Sequence, residues 1–92
     1  MFIGLLQIEV LLQAQSLKEK RFVVKGFKDR IRNKYNIAVA ETDFNEKWQR
    51  SQLSMVVVGN EKKYLENKLR QVLQYAIDNP LWAVNRHFID FY

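Results

Sequence analysis

The residues best suited to chemistry are basic side chains concentrated in one segment. Residues 16–35 hold eight of the fifteen Lys and Arg residues and two acidic ones, a net charge of +6, so the other 72 residues sum to −1. Five of the cations step by three, four, three and four residues: Lys18, Arg21, Lys25, Lys28 and Arg32. On an α-helix this spacing predicts one continuous ridge of positive charge. Such a ridge suits phosphates repeated along a backbone, so we expect RNA, free or in the ribosome, as partner.

The same ridge has two other interpretations. It fits a solvated helix face that only aids solubility, and it fits a contact with an acidic protein surface. Like charges at these spacings repel each other by a few tenths of a kcal/mol per pair. A bound anion would relieve that repulsion, and this favours a functional role for the spacing.

A polar segment from Asp43 to Gln52 offers secondary contacts. Trp48 and Arg50 within it could stack on a base, or Trp48 could anchor a subunit contact. Lys20 points toward the apolar side of its helix. We expect its ammonium either to reach solvent past the edge of the core or to pair with a carboxylate such as Glu41.

Catalytic and metal-binding patterns are weak in this sequence. There is no cysteine, the three glycines are isolated, and there is one histidine. The acids and the histidine that an unrecognised active site could use are scattered: Glu9, Glu41, Asp43, Glu46 and His87. We therefore expect a non-enzymatic protein with no cofactor, no metal site and no small-molecule substrate.

Apolar runs in the sequence are short. None reaches the roughly 18 residues needed to span a bilayer, and no basic region precedes the apolar residues 1–14 as a signal peptide requires. The absence of cysteine fits a reducing compartment. We expect a cytoplasmic protein that makes no contact with membranes.

Hydrophobic periodicity divides the chain into six elements of one domain, residues 1–92. Alternation predicts a strand over 2–12, and Ser16 with Glu19 forms a capping box that starts a helix over 17–35, ended at Asn36. Strands are predicted over 37–42 and 53–58. Asn60 is expected to cap a second helix, which Asn79 and Pro80 end, and a last strand covers 81–92.

This β-α-β-β-α-β order predicts an α+β, ferredoxin-like fold. Right-handed crossovers give a four-stranded antiparallel sheet with the first and third strands in the middle and both helices on one face. The open face should then carry Ile3, Leu5 and Leu11. We expect these residues, with Trp48, to form the interface of a homodimer or a higher even oligomer. The third strand has no aromatic residue, which argues against the RNA-recognition motif of this fold.

Three short motifs resemble the YlxP family of small bacterial proteins. They are SLKEKR at residues 16–21, VAE at 39–41 and WQR at 48–50, and the likeness covers nearly the whole chain. Members commonly have Asp two residues before the tryptophan, where this chain has Glu46. The resemblance implies a ferredoxin-like domain of unknown function. Genes of the family often lie near those for translation initiation and ribosome maturation, which implies a role near RNA or the ribosome.

Overall fold

Alternation along the first strand makes it two-faced. In β1 (Phe2–Leu12) the even-numbered residues from position 6 to 12 are buried, whereas Ile3, Leu5 and Leu11 are half-buried or exposed. Successive side chains of a strand point to opposite faces of the sheet. β1 therefore buries one face against the helices and leaves the other open.

A computed structural model describes residues 1–92, and its elements follow the predicted order. The other five are α1 (Leu17–Tyr35), β2 (Ala38–Asp43), β3 (Arg50–Gly59), α2 (Lys62–Ile77) and β4 (Trp82–Phe91). All strand pairs are antiparallel, in one sheet of order β2-β3-β1-β4. The α+β, ferredoxin-like prediction is confirmed, including the central position of the first and third strands.

Both helices pack their apolar stripes on the same sheet face. Phe27 of α1 meets Trp82 of β4 edge to face, with ring centroids 4.7 Å apart, and Trp82 Nε1 donates to the Ala76 carbonyl at 2.8 Å. Burying a side chain as large as Phe contributes roughly 1.5–3 kcal/mol, so these contacts fix the rotation of α1 about its axis. That rotation decides which side chains of α1 reach solvent. Neither helix has the length and apolar character needed to cross a lipid bilayer.

Ser16 and Asn36 set the ends of α1, as predicted. Ser16 Oγ accepts a hydrogen bond from the Glu19 backbone N at 3.1 Å, and Asn36 follows the helix in a left-handed conformation with φ of 53°. Asparagine tolerates this conformation better than most residues. The Glu19 carboxylate accepts from the Gln15 backbone N. The second bond of the capping box is thus one residue earlier than the usual pattern.

The third strand begins earlier than predicted. Arg50, Ser51 and Gln52 already pair with β1, so the strand starts at position 50 and the connection after β2 shrinks to residues 44–49. The polar composition of these positions hid the strand, because Arg50 and Gln52 lie on the open face, where polar side chains meet water. The strand is apolar on both parities further along, yet only one face is buried: Val58 is 61% exposed.

The prediction that Asn60 caps the second helix is wrong. The N-cap residue is Glu61, and its side chain makes no capping hydrogen bond. Because β3 stays paired with β1 as far as Gly59, Asn60 is used in the bend that leaves the strand. The predicted apolar side of this helix is confirmed by its buried residues, Leu65, Leu69, Val72, Leu73 and Ala76.

Candidate nucleic-acid interface

The charged side of α1 can be located relative to the side that faces the core. Lys20, Val24, Phe27 and Ile31 are the buried residues of this helix. At 100° per residue, the five cations predicted as a ridge lie together on one flank of that buried stripe. We call Lys18, Arg21, Lys25, Lys28 and Arg32 the basic ridge. Its members are exposed apart from half-buried Lys28.

One acid moderates the ridge in its second half. Asp29 Oδ2 lies 2.8 Å from Lys25 Nζ, and Asp29 Oδ1 lies 3.7 Å from Arg32 Nη1. The hydrogen bond from Lys25 holds the pKa of Asp29 below its usual value, and the charges of Lys25, Arg32 and Lys28 act in the same direction. Lys18, Arg21 and Lys28 have no hydrogen bond or ion pair within the chain. The ridge therefore keeps a net charge of about +4 at neutral pH.

Arg32 ties the ridge to the edge of the sheet. Its Nη2 donates to the Val39 carbonyl at 3.1 Å, and β2, which contains Val39, is an edge strand. Exposed edge strands carry unpaired backbone groups that invite pairing with other chains. Arg32 satisfies one such carbonyl and places the ridge on the outer side of the molecule, beside β2.

A buried lysine holds the connection between β2 and β3. The Lys20 side chain is 1% exposed, and its Nζ lies 2.8 Å from Glu41 Oε2. The same ammonium donates to the Phe44 carbonyl at 2.5 Å and to the Asn45 carbonyl at 3.4 Å. Glu41 Oε2 also accepts from Ser51 Oγ at 2.6 Å. The predicted alternative in which Lys20 pairs with Glu41 is confirmed, and the three acceptors account for the burial of this charge.

The connection of residues 44–49 is bound on its other side to the end of β1. Gln49 Nε2 donates to the Ala14 carbonyl at 3.2 Å, and the Gln49 carbonyl accepts from the Leu12 backbone N at 3.0 Å. The Arg50 guanidinium lies 3.8 Å from the centroid of the Phe44 ring. Trp48 is 52% exposed. The connection is thus held against the start of α1 with an accessible tryptophan.

Arg50 has partners that its sequence position did not reveal. Arg50 Nη2 donates to Glu9 Oε1 at 2.7 Å, and Asn85 Nδ2 donates to Glu9 Oε2 at 2.6 Å. These two hydrogen bonds, that from Asn85 foremost, hold the pKa of Glu9 below its usual value. Glu9 and Asn85 were not predicted as a pair because they are 76 positions apart in sequence. Only the strand register brings them together.

The predicted interface residues of β1 lie on the uncovered sheet face. Ile3 and Leu5 are opposite Val58 and Val56 of β3, and these four form an apolar patch. Leu11 lies further along the same face, opposite Arg50. Trp48 is not on this face but in the connection beside it. Subunit contact by any of these residues stays a prediction.

The residues that an unrecognised active site could use are kept apart. Glu9 lies on the open face, whereas Glu41 lies on the helix face with Lys20. His87 is opposite Ile8 in the register and borders the same groove as Glu9, but the two side chains are not hydrogen-bonded to each other. Asp43 accepts from the backbone N of Phe44, and Glu46 is exposed. No two of these side chains hydrogen-bond to each other.

The three family-like motifs become one structural unit. Each motif supplies side chains to the hydrogen bonds and ion pairs described above. They are Ser16, Glu19 and Lys20 from the first motif, Glu41 from the second, and Gln49 and Arg50 from the third. Among the motif residues with a polar or charged group in the side chain, three make no side-chain hydrogen bond or ion pair: Lys18, Arg21 and Trp48. Because these three are also exposed, the fold does not account for them through bonds of this kind.

Comparison with known proteins gives one family. A family model described as "Protein of unknown function (DUF503)" matches residues 3–87. The chain is also similar to a protein of Bacillus subtilis (strain 168) named "Uncharacterized protein YlxP". The two are 34% identical over 79 residues, which cover 85% of this chain and 86% of the relative. The residues matched by the family model contain the basic ridge, the connection of residues 44–49, and Glu9 with its partners Arg50 and Asn85.

Proposed function

The chain belongs to the DUF503 family of proteins of unknown function, and we propose that it is a cytoplasmic, non-enzymatic RNA-binding protein. The basic ridge of α1 contacts the phosphates of the RNA, free or within the ribosome. The observation that carries this proposal is the charge imbalance of that surface. Its five cations have one carboxylate beside them, which pairs with Lys25 and Arg32, and the other three cations have no partner.

The shape of the ridge supports a linear polyanion as the ligand. From Lys18 to Arg32 the ridge extends about 21 Å along α1, at 1.5 Å per residue. Successive phosphates of one strand can follow such a line, and each neutralised phosphate releases counterions. Trp48 and Arg50 are secondary contacts in this proposal. Trp48 supplies a stacking surface, and Arg50 contributes only where a phosphate competes with its bond to Glu9.

Charge reversal tests the ridge directly. We expect the triple variant Lys18→Glu, Arg21→Glu, Lys28→Glu to bind structured RNA at least about tenfold more weakly in filter binding, because three phosphate contacts become repulsive. These positions leave the contacts of Asp29 and Arg32 intact. The matched control is Lys62→Glu, Lys63→Glu, Lys68→Glu on α2, which changes the net charge equally. If both triples lose the same affinity, net charge and not the ridge governs binding.

A second candidate function is favoured by the apolar patch of the open sheet face. In this alternative the protein is a homodimer, or a higher even oligomer, formed across Ile3, Leu5, Val56 and Val58, and the ridge binds an acidic protein. Copurification separates the candidates: nuclease treatment releases an RNA-bound partner and leaves an acidic protein partner attached.

Self-association has its own test. We expect sedimentation analysis at micromolar concentration to show a dimer, and Val58→Lys to convert it to monomer by burying an unpaired charge in the contact. Val58 is exposed, so the substitution leaves the core unaltered. Exchange of another exposed residue, Tyr64→Lys on α2, serves as the control. Monomer alone across the concentration series contradicts the contact.

A further inference from the structure

A β-bulge assembles a polar cluster on the open sheet face. Glu9 lies opposite Arg86, but its neighbour Val10 lies opposite Val84, so Asn85 is an extra residue in β4. A bulge interrupts the alternation of side chains. As a result, two consecutive residues of β4 lie near Glu9. Asn85 donates a hydrogen bond to Glu9, and Arg86 lies directly opposite Glu9 in the register.

Glu9 is a fixed anion within this cluster. It is 8% exposed although no layer of secondary structure covers this face, because neighbouring side chains surround it. Arg50 and Asn85 each bond to one carboxylate oxygen, at 2.7 and 2.6 Å. Each oxygen of an ionised carboxylate has a second acceptor position. The hydrogen bonds from Arg50 and Asn85 therefore leave one acceptor position on each oxygen of Glu9.

A groove of about 530 Å³ surrounds the cluster. Gln7 and Gln52 line it, and their amide nitrogens donate to Ser54 Oγ and Thr42 Oγ1, each at 3.0 Å. Their amide oxygens accept no hydrogen bond in the chain. The Arg86 guanidinium has no ion-pair partner of its own. The groove thus offers several free acceptors next to one free cation.

Phe88 supplies a flat apolar surface at the same place. It lies opposite Gln7 in the register, lines the groove and is 46% exposed. An exposed aromatic ring on an open sheet is a surface on which a base can stack. The ring belongs to β4. The absence of aromatic residues from β3 therefore does not remove the stacking surface.

These groups match one heterocycle in particular. Guanine has adjacent N–H donors at N1 and N2, which complement a carboxylate, and acceptors at O6 and N7, which Arg binds bidentately. Adenine and cytosine place a ring-nitrogen acceptor where Glu9 needs a donor, and uracil has one N–H between two carbonyls. We propose that this groove binds a guanine base, with Glu9 and Arg86 reading its edge and Phe88 stacking on its face. The source of the base, which rests on the proposed function, is the single-stranded RNA that the basic ridge holds.

Fluorescence anisotropy with labelled oligouridine RNA tests the groove. An oligouridine with one central guanine should bind at least about tenfold more tightly than the same strand with adenine or cytosine there. Arg86→Gln and Phe88→Ala should each remove that preference, because they weaken binding of the guanine strand more than binding of plain oligouridine. Arg70→Gln on α2 is the matched control and should keep it.

The outcomes separate the groove from the ridge. The ridge triple variant should weaken binding of every strand and keep the ratio between guanine and uridine. Loss of oligouridine binding in that variant, with no guanine preference in the native protein, overturns the groove and leaves the RNA proposal standing. A guanine preference that survives both Arg86→Gln and Phe88→Ala also overturns it.

Free guanosine monophosphate tests the source of the base. It should bind at least about tenfold more weakly than the guanine-containing strand, because it lacks the phosphates that the ridge contacts. Equal affinity for the free nucleotide overturns RNA as the source.

Discussion

Lys20 is the residue on which the candidate interface depends structurally. Its ammonium is buried and has three oxygen acceptors: Glu41 Oε2 and the carbonyls of Phe44 and Asn45. Phe44 adopts a positive φ of 61°, which is unusual for a residue other than glycine. The ammonium holds this turn at the start of the connection that contains Trp48. In the sequence Lys20 is one of several basic residues of α1, but in the structure its ammonium binds the connection between β2 and β3 instead of facing solvent.

Removal of Lys20 tests this role. We expect Lys20→Met to lower the free energy of unfolding by about 3 kcal/mol in urea titrations, because Glu41 and two carbonyls are left without their cation. The double variant Lys20→Met, Glu41→Gln should recover part of that loss, since no buried charge is then unpaired. Lys25→Met, on the exposed side of the same helix, should leave the midpoint essentially unchanged. A Lys20→Met protein as stable as the native one contradicts the anchoring role.

Some helices and strands could be predicted from hydrophobic periodicity, whereas the bounds of others depend on how the strands pair in the sheet. Alternation predicts β1, and the capping residues Ser16 and Asn36 bracket α1, so both elements were predicted with their observed bounds. The first three residues of β3, 50–52, were missed because polar residues resemble a loop unless the open face of the sheet is known. Side-chain spacing along one helix is a local property, so the alignment of the five ridge cations on α1 could be predicted from the sequence. Their contact with RNA stays a prediction.

The cluster around Glu9 depends instead on the register between distant strands. The bulge at Asn85 leaves no mark in the composition of β4, where polar and apolar residues are already mixed. Arg50 was predicted as a secondary contact for RNA, but its bond to Glu9 follows only from the pairing of β3 with β1. Long-range register is the information that local sequence patterns lack.

At the scale of the whole molecule, charge and apolar surface are separated. The basic ridge lies on the flank of α1 beside the β2 edge, whereas the apolar patch lies on the opposite side of the sheet. Leu5 of that patch and Glu9 of the groove are four residues apart on β1, about 13 Å in an extended strand. RNA binding by the ridge and self-association by the patch therefore use different surfaces, whereas the groove shares the open sheet face with the patch.

The salt dependence of RNA binding tests the central claim most directly. With five ridge cations and one acid, about four net contacts form, and the slope of log Kobs against log salt concentration should be about −3. The ridge triple variant should have a clearly shallower slope, and the α2 control triple should keep that of the native protein. A native slope shallower than about −1, or the same slope in the native protein and the ridge variant, contradicts phosphate binding by the ridge.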